Sequence, residues 1–179
     1  AGAPRLTFII GENEPQDAKL FLPLEHGGLG LDALWNDDFH HTAMVAMTGR
    51  ADAYYSDYRG AAQEFVSTLK RGFLYQGQWY SWQNNTRGTP GLDMPPAKFV
   101  NFIQNHDQLA NSGSGKRVHL LTSPNRYRAL TALFLLAPQT PMLFQGQEFA
   151  ATSPFFYFAD HKDEIAQLVA RGRADFLAQ

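Results

Sequence analysis

The sequence predicts an α/β fold in which a parallel sheet is built from strands that alternate with helices. Three observations lead to this prediction. Apolar runs of about five residues, too short for helices, recur along the chain. Segments with helical periodicity stand between several of these runs. Each run also ends in a polar cluster, as strands of α/β folds do where sites form at their carboxyl ends.

Four apolar runs are the strand candidates. They are Leu6–Ile10, Leu31–Trp35, Phe99–Ile103 and Pro141–Phe144. Strands that alternate with helices imply βαβ units and hence parallel pairing. A complete (β/α)8 TIM barrel takes about 250 residues, so four strands amount to half of such a barrel.

Three segments are the helix candidates, and one long connection lies between them. Residues 60–75 have apolar side chains at the helical period, and residues 163–176 show the same pattern. Ser123 is a good helix N-cap before a proline, which predicts a helix over residues 124–137. Residues 76–96 are rich in glycine, proline and aromatic side chains, and we expect them to form a loop.

The composition excludes several classes of protein. With 44% hydrophobic and 18% charged residues, the chain is not expected to be disordered. A formal net charge of −2 gives no basic field for nucleic acid. No apolar run approaches the length of a membrane span, so no membrane partner is expected. The absence of cysteine excludes disulfides and thiolate metal sites, and it favours a cytoplasmic location.

Two carboxylates are the candidate catalytic groups. Glu12 follows the first strand, where partial burial would raise its pKa and make it a proton donor near neutrality. Asp107 stands beside His106, and together they can bind sugar hydroxyls and stabilise positive charge. The alternatives are that Glu12 is a loop or helix-capping carboxylate and that Asp107 satisfies the backbone amides of a turn.

A second polar cluster follows the second strand and contains Asp37, Asp38, His40 and His41. Adjacent histidines point in different directions, and no third ligand has the spacing of a zinc motif, so we predict no metal and no cofactor. Recognition of hydroxyl groups is the preferred interpretation. Trp35 would supply an apolar platform for a sugar face, or alternatively it is a core residue.

Three stretches of the sequence carry a resemblance to a known family. They are Gly30–His41, Phe102–Gln108 and Ser153–His161. All three resemble malto-oligosyltrehalose trehalohydrolases, a family of the α-amylase superfamily. Glu12 and the run Pro141–Gly146 are similar to later signatures of that superfamily. The likeness extends from about residue 6 to residue 176.

The resemblance implies a fold, an activity and a substrate. It implies that residues 1–150 form strands five to eight of the catalytic TIM barrel and that residues 151–179 form a post-barrel loop and terminal helix. It implies a retaining glycosidase that cleaves the α-1,4 bond next to the trehalose end of malto-oligosyltrehalose, or of a related α-glucan, and releases trehalose. Glu12 would be the acid/base, and Asp107 would stabilise the transition state.

A set of residues around these two carboxylates is expected to bind substrate. The set consists of Trp35, Asp37, Asp38, Phe39, His40, His41, His106, Gln108 and Asn111.

The family's nucleophile motif, Gly-x-Arg-x-Asp, is not found in this sequence. Asp52 stands in a similar Arg-x-Asp-Ala run, but no apolar strand precedes it, so we expect a surface residue. The chain alone is therefore expected to be inactive, and its unpaired sheet edges favour self-association. The alternatives are another α-amylase-type enzyme, such as a branching enzyme, and a non-catalytic α-glucan-binding fragment.

Overall fold

The computed structural model describes residues 6–14 and 16–178. The strands in these residues are Ile10–Gly11 (β1), Ala33–Trp35 (β2), Gln78–Tyr80 (β3), Asn85–Arg87 (β4), Phe99–Asn101 (β5) and Thr140–Pro141 (β6). The α-helices are Asp37–Thr48 (α1), Ala62–Arg71 (α2), His106–Ala110 (α3), Pro124–Leu136 (α4) and Asp163–Leu177 (α5). Short 3₁₀ turns lie at Ala18–Phe21, Leu24–His26, Ala53–Tyr55, Ser81–Gln83, Pro96–Lys98 and Val118–Leu120.

The main sheet is parallel throughout, which confirms the predicted α/β class. Its strand order is β1-β2-β5-β6, so β2 and β5 are central and β1 and β6 lie at the edges. The register pairs Ile10 with Ala33, Leu34 with Phe99, and Val100 with Thr140. The central strands are almost fully buried, as strands covered on both faces should be.

The two edge strands are shorter than the sequence predicts. The prediction of strand for residues 6–9 and 142–144 is wrong. The Ile9 amide donates to the Asp32 side chain, Oδ2, at 2.7 Å, so it is not part of the regular ladder. Within the described residues each edge strand has a neighbour on one side only, which leaves nothing to extend its pairing.

The polar cluster after β2 begins a helix that the sequence analysis missed. The Asn36 side chain caps α1 by accepting a hydrogen bond from the Phe39 amide at 3.3 Å. Gly49 ends the helix in the left-handed conformation, with φ of +74°. Both signals are present in the sequence, but the polar side chains between them were interpreted as a strand-exit loop.

Three further segments test the sequence predictions. Helix α2 ends at Arg71 rather than residue 75, because Gly72 adopts φ of +87° and a Cβ there would lie 2.2 Å from the Phe99 ring. The expectation of a loop over 76–96 is wrong in part, because β3 and β4 form an antiparallel hairpin within it. Helices α4 and α5 confirm the prediction, and Ser123 caps α4.

The largest core cluster lies around α1. Phe39, Met44 and Met47 of α1 are buried among side chains from the following turn, the hairpin and α4. A smaller cluster, built around Leu34 and Phe99, packs on the sheet. Helix α1 is therefore covered on most sides, which decides where its polar residues lie. None of the helices in the described part of the chain has the length and apolar character needed to cross a bilayer.

Candidate active site

An open cleft forms where β1, β2 and β5 end. Glu12 directly follows β1, Asp37 begins α1 after β2, and Asp107 lies in the first turn of α3 after β5. All three carboxyl groups line the cleft. Because the carboxyl ends of parallel strands meet at the same edge of a sheet, the polar clusters of the sequence converge there.

Two of the lining carboxyl groups, Glu12 and Asp107, form a cluster with His106. His106 Nε2 lies 3.7 Å from Glu12 Oε1 and 3.6 Å from Asp107 Oδ1, so one imidazole contacts both carboxyl groups. One ligand atom from each of the three residues lies within 4.8 Å of the others. This donor set could hold a cation, although both carboxylates are half-exposed and acidic groups of this kind commonly bind none.

The environment of Glu12 favours its protonated form. Burial raises the pKa of Glu12, the nearby His106 lowers it, and the negative charge of Asp107 raises it again. The net direction is upward. A raised pKa suits a carboxyl group that acts as a general acid, and the Glu12 side chain remains accessible, with 47% of it exposed.

Asp107 is oriented from two sides. Its backbone amide donates to the capping side chain of Asn105 at 2.8 Å, which fixes the first turn of α3. Its Oδ1 accepts a hydrogen bond from the hydroxyl of Tyr157, whose pKa is raised to about 12 by burial and by this contact. The Arg173 guanidinium lies 4.8 Å from the centre of the Tyr157 ring. Sequence reasoning gave neither Tyr157 nor Arg173 a role.

Two residues of the α1 cluster, Asp37 and His41, face the cleft. They are four positions apart, which places them on one face of the helix. Burial and, to a smaller extent, the negative charges of Asp38, Glu12 and Asp107 together raise the pKa of Asp37 to about 7. His41 is buried against Tyr54, with ring centres 5.1 Å apart, and burial holds its pKa well below its usual value. The cleft floor is therefore neutral at His41.

Asp38 lies in the interior, which corrects the expectation that it binds substrate directly. Its side chain is fully buried. Its carboxylate accepts hydrogen bonds from the Tyr58 hydroxyl at 2.7 Å, from the Leu74 and Tyr75 amides at 2.8 and 2.9 Å, and from Arg87 Nε at 3.0 Å. Burial raises the pKa of Asp38 to about 6 against these hydrogen bonds. Asp38 thus joins α1 to the hairpin.

Phe39 and His40 also lie in the interior, which corrects the expectation that they bind substrate directly. Phe39 is fully buried and its ring lies 5.8 Å from that of Phe65. His40 Nδ1 bonds to the Ile103 carbonyl at 2.8 Å, and burial lowers the pKa of His40 to about 4. Phe39, two positions after Asp37, points away from the face shared by Asp37 and His41. His40 is held in the interior by its bond to the Ile103 carbonyl and by stacking on Phe102, with ring centres 5.0 Å apart.

Trp35 supports the site without lining the cleft. Its half-buried ring packs 5.4 Å from Phe102 and 5.9 Å from the His106 imidazole, measured between ring centres. Trp35 therefore acts as an apolar backing for His106 rather than as the sugar platform that the sequence predicts.

The remaining expected residues, Gln108 and Asn111, do line the cleft. Asn111 Oδ1 accepts a hydrogen bond from Arg173 Nη1 at 2.6 Å. Several residues outside this expected set also line the cleft. These are Asn13, Glu14, Tyr54, Trp82 and Asn105.

Comparison with known proteins finds relatives named malto-oligosyltrehalose trehalohydrolase. No protein-family model matches the chain. The chain is 43% identical over 145 residues to a malto-oligosyltrehalose trehalohydrolase of Deinococcus radiodurans, covering 80% of this chain and 24% of the relative. It is 38% identical over 167 residues to that of Saccharolobus solfataricus, covering 93% of this chain and 30% of the relative. The chain thus spans less than a third of the length of these relatives.

A solved structure agrees with the sequence relatives. A crystal structure from Salmonella typhimurium, described as a candidate alpha amylase, superposes with a TM-score of 0.86 at 35% identity. The match covers 96% of this chain and 30% of that one.

Proposed function

This chain belongs to the malto-oligosyltrehalose trehalohydrolase family, and we propose that it forms part of the active site of a retaining glycosidase. The whole protein would cleave the α-1,4 bond next to the trehalose end of malto-oligosyltrehalose and release trehalose. The observation that carries the proposal is the placement of Glu12 and Asp107 in one cleft, with His106 in contact with both.

We assign the two carboxyl groups different roles on the basis of their surroundings. Glu12, whose pKa is raised by burial, would protonate the leaving glycosidic oxygen and later take a proton from the attacking water. Asp107 would accept hydrogen bonds from sugar hydroxyls and stabilise the positive charge of the oxocarbenium-like transition state. His106, held on Trp35, would bind the sugar beside the scissile bond.

A retaining mechanism also needs a nucleophilic carboxylate about 5 Å from the acid. The run that contains Asp52 is not at a strand end, and Asp52 is 60% exposed in an ion pair with Arg50. We therefore propose that the nucleophile is contributed by a part of the protein outside these residues.

We propose that residues 1–150 are strands five to eight of a TIM barrel, followed by a post-barrel segment over 151–179. The four parallel strands support this, because β1 and β6 are both unpaired on their outer sides within the described residues. Apolar side chains beside β1 are exposed, including Phe8 at 67% and Ile9 at 52%. The isolated chain should consequently self-associate, which light scattering would detect.

The experiment is proton NMR of the full-length protein acting on malto-oligosyltrehalose. The proposal predicts trehalose together with a malto-oligosaccharide whose new reducing end is first seen as the α-anomer. A β-anomer would contradict the retaining mechanism. Formation of α-1,6 branches without new reducing ends would indicate a branching enzyme, and glucan binding without turnover would indicate a non-catalytic protein.

A further inference from the structure

The loop that carries Glu12 has little support from the sheet. Strand β1 has two residues and pairs only with β2 among the described strands. The chain leaves the sheet at Gly11, so the position of the Glu12 side chain depends on contacts made by the loop itself. A general acid has to be within hydrogen-bond distance of the oxygen that it protonates.

One anchor of this loop is Gln16, which is fully buried. Its Nε2 donates to the Asn13 carbonyl at 3.1 Å and to the Trp35 carbonyl at 3.2 Å, and its Oε1 accepts from the Asp37 amide at 3.1 Å. Gln16 therefore ties the backbone of the loop to the end of β2.

The other anchor is Arg87, the last residue of β4, which is also fully buried. Its Nε donates to Asp38 Oδ1 at 3.0 Å, and its Nη1 donates to Glu14 Oε1. The guanidinium lies 5.0 Å from the centre of the Tyr80 ring. A buried cation is stable only when it is paired, so these contacts hold the guanidinium in one place.

Glu14 is two residues beyond Glu12 and lines the same cleft, with its side chain 42% exposed. Asp38 and the hairpin hold Arg87 in place. The contact between Arg87 and Glu14 therefore restrains the loop that carries Glu12. We propose that Arg87 and Glu14 form a positioning pair that places the Glu12 carboxyl group for proton donation, an inference that rests on the proposed function.

Arginine is suited to this role because its planar fork reaches two carboxylates from one rigid group. Lysine keeps the charge but presents a single flexible ammonium group. Displacement of a reacting group by about 1 Å can cost on the order of 100-fold in rate. The pair should therefore affect turnover more than substrate binding.

The experiment compares Glu14→Gln and Arg87→Lys in the full-length protein, with trehalose release as the assay. We expect Glu14→Gln to lower kcat by about 10- to 100-fold while KM changes less than about 3-fold. Arg87→Lys should act in the same direction. The matched controls are Asp52→Asn and Arg50→Lys, which alter the exposed Arg50–Asp52 pair and should leave kcat unchanged.

The pH profile of Arg87→Lys gives a readout that a merely structural role would not move, because this variant keeps its charge. Glu14→Gln also removes a negative charge near Glu12, which lowers the pKa of Glu12 by itself. His106 and Asp107 of α3 and Asp37 of α1 face Glu12, and none of them is changed in the variants. A loosened loop exposes Glu12 to water and lowers its pKa, and a general acid is active only below its pKa. The alkaline limb of the activity profile should therefore shift to lower pH in both variants.

An unchanged kcat in Glu14→Gln would overturn the proposed positioning pair. A raised KM with an unchanged kcat would also overturn it, because that result indicates that Glu14 contacts the substrate directly. If Arg87→Lys fails to fold, the half-exposed Glu14→Gln still decides the question. Absence of trehalose release by the unaltered protein would overturn the proposed function and this inference with it. An active parent with an unaffected Glu14→Gln would overturn this inference alone.

Discussion

The polar clusters after β2 and after β5 are similar in sequence, but the structure buries their side chains to different extents. Each begins with an asparagine that caps a helix, Asn36 for α1 and Asn105 for α3. Helix α1 has 12 residues and packs into the largest core cluster, whereas α3 has five residues. The first turn of α1 therefore sends Asp38 into the interior, whereas the first turn of α3 leaves Asp107 half-exposed.

The comparison teaches that a polar run at a strand end identifies the place of a site but does not identify its members. A helix presents only one face to the cleft, so neighbouring residues in the same run differ in role. Asp37 faces the cleft while Asp38, the next residue, binds a buried arginine and a tyrosine. Substitutions can separate these two classes by comparing stability with turnover.

The largest effect on stability is expected for Asp38→Ala. The variant removes four hydrogen bonds and leaves the Arg87 guanidinium buried without its partner on α1. Breaking a buried ion pair in this way costs about 3–5 kcal/mol, which should lower Tm sharply. Asp93→Ala, which alters an exposed aspartate, is the control and should leave Tm nearly unchanged. A stable Asp38→Ala with a raised KM would instead place Asp38 in contact with substrate.

Asp107→Asn should have the opposite effect to Asp38→Ala, with lower turnover and unchanged stability. Its side chain is 47% exposed, so the fold should be retained with a change in Tm close to zero. Loss of the charge that faces the developing positive centre should lower kcat by about 100- to 1000-fold. Steady-state kinetics and thermal unfolding of the same preparation check both parts. A normal kcat would show that Asp107 has no catalytic role and that the two clusters do not differ in function.

The smallest effect is expected for Asp52→Asn. Asp52 and Arg50 form an exposed ion pair at 2.9 Å, and pairs of this kind contribute about 0–1 kcal/mol. Neither Tm nor kcat should change measurably. A large loss of trehalose release would show that the Arg-x-Asp-Ala run supplies the nucleophile after all.

Local sequence signals predict much of the fold. The serine and proline before α4, the apolar periodicity of α5 and the apolar runs of β2 and β5 each predict the correct element. The lengths of β1 and β6 could not be predicted, because strand length depends on pairing with neighbours that are distant in sequence. The β3–β4 hairpin was missed for a different reason, since its aromatic residues fit a loop equally well.

The sequence identifies the residues at the centre of the candidate site but not those that surround them. Glu12, His106 and Asp107 follow strands and carry chemistry that the sequence makes visible. Tyr157, Glu14 and Arg87 act through contacts between segments about 50 to 73 positions apart, which no local pattern reveals. The burial of Asp38 likewise follows from packing of α1 rather than from its neighbours in sequence.

The most direct test of the account is the turnover of Glu12→Gln in the full-length protein, with Glu25→Gln as an exposed glutamate control. The amide keeps the shape of the side chain but cannot donate the proton, so kcat should fall by about 100- to 10,000-fold while malto-oligosyltrehalose still binds. The control should keep normal kcat. Near-normal turnover of Glu12→Gln would contradict the assignment of this cleft as the catalytic site.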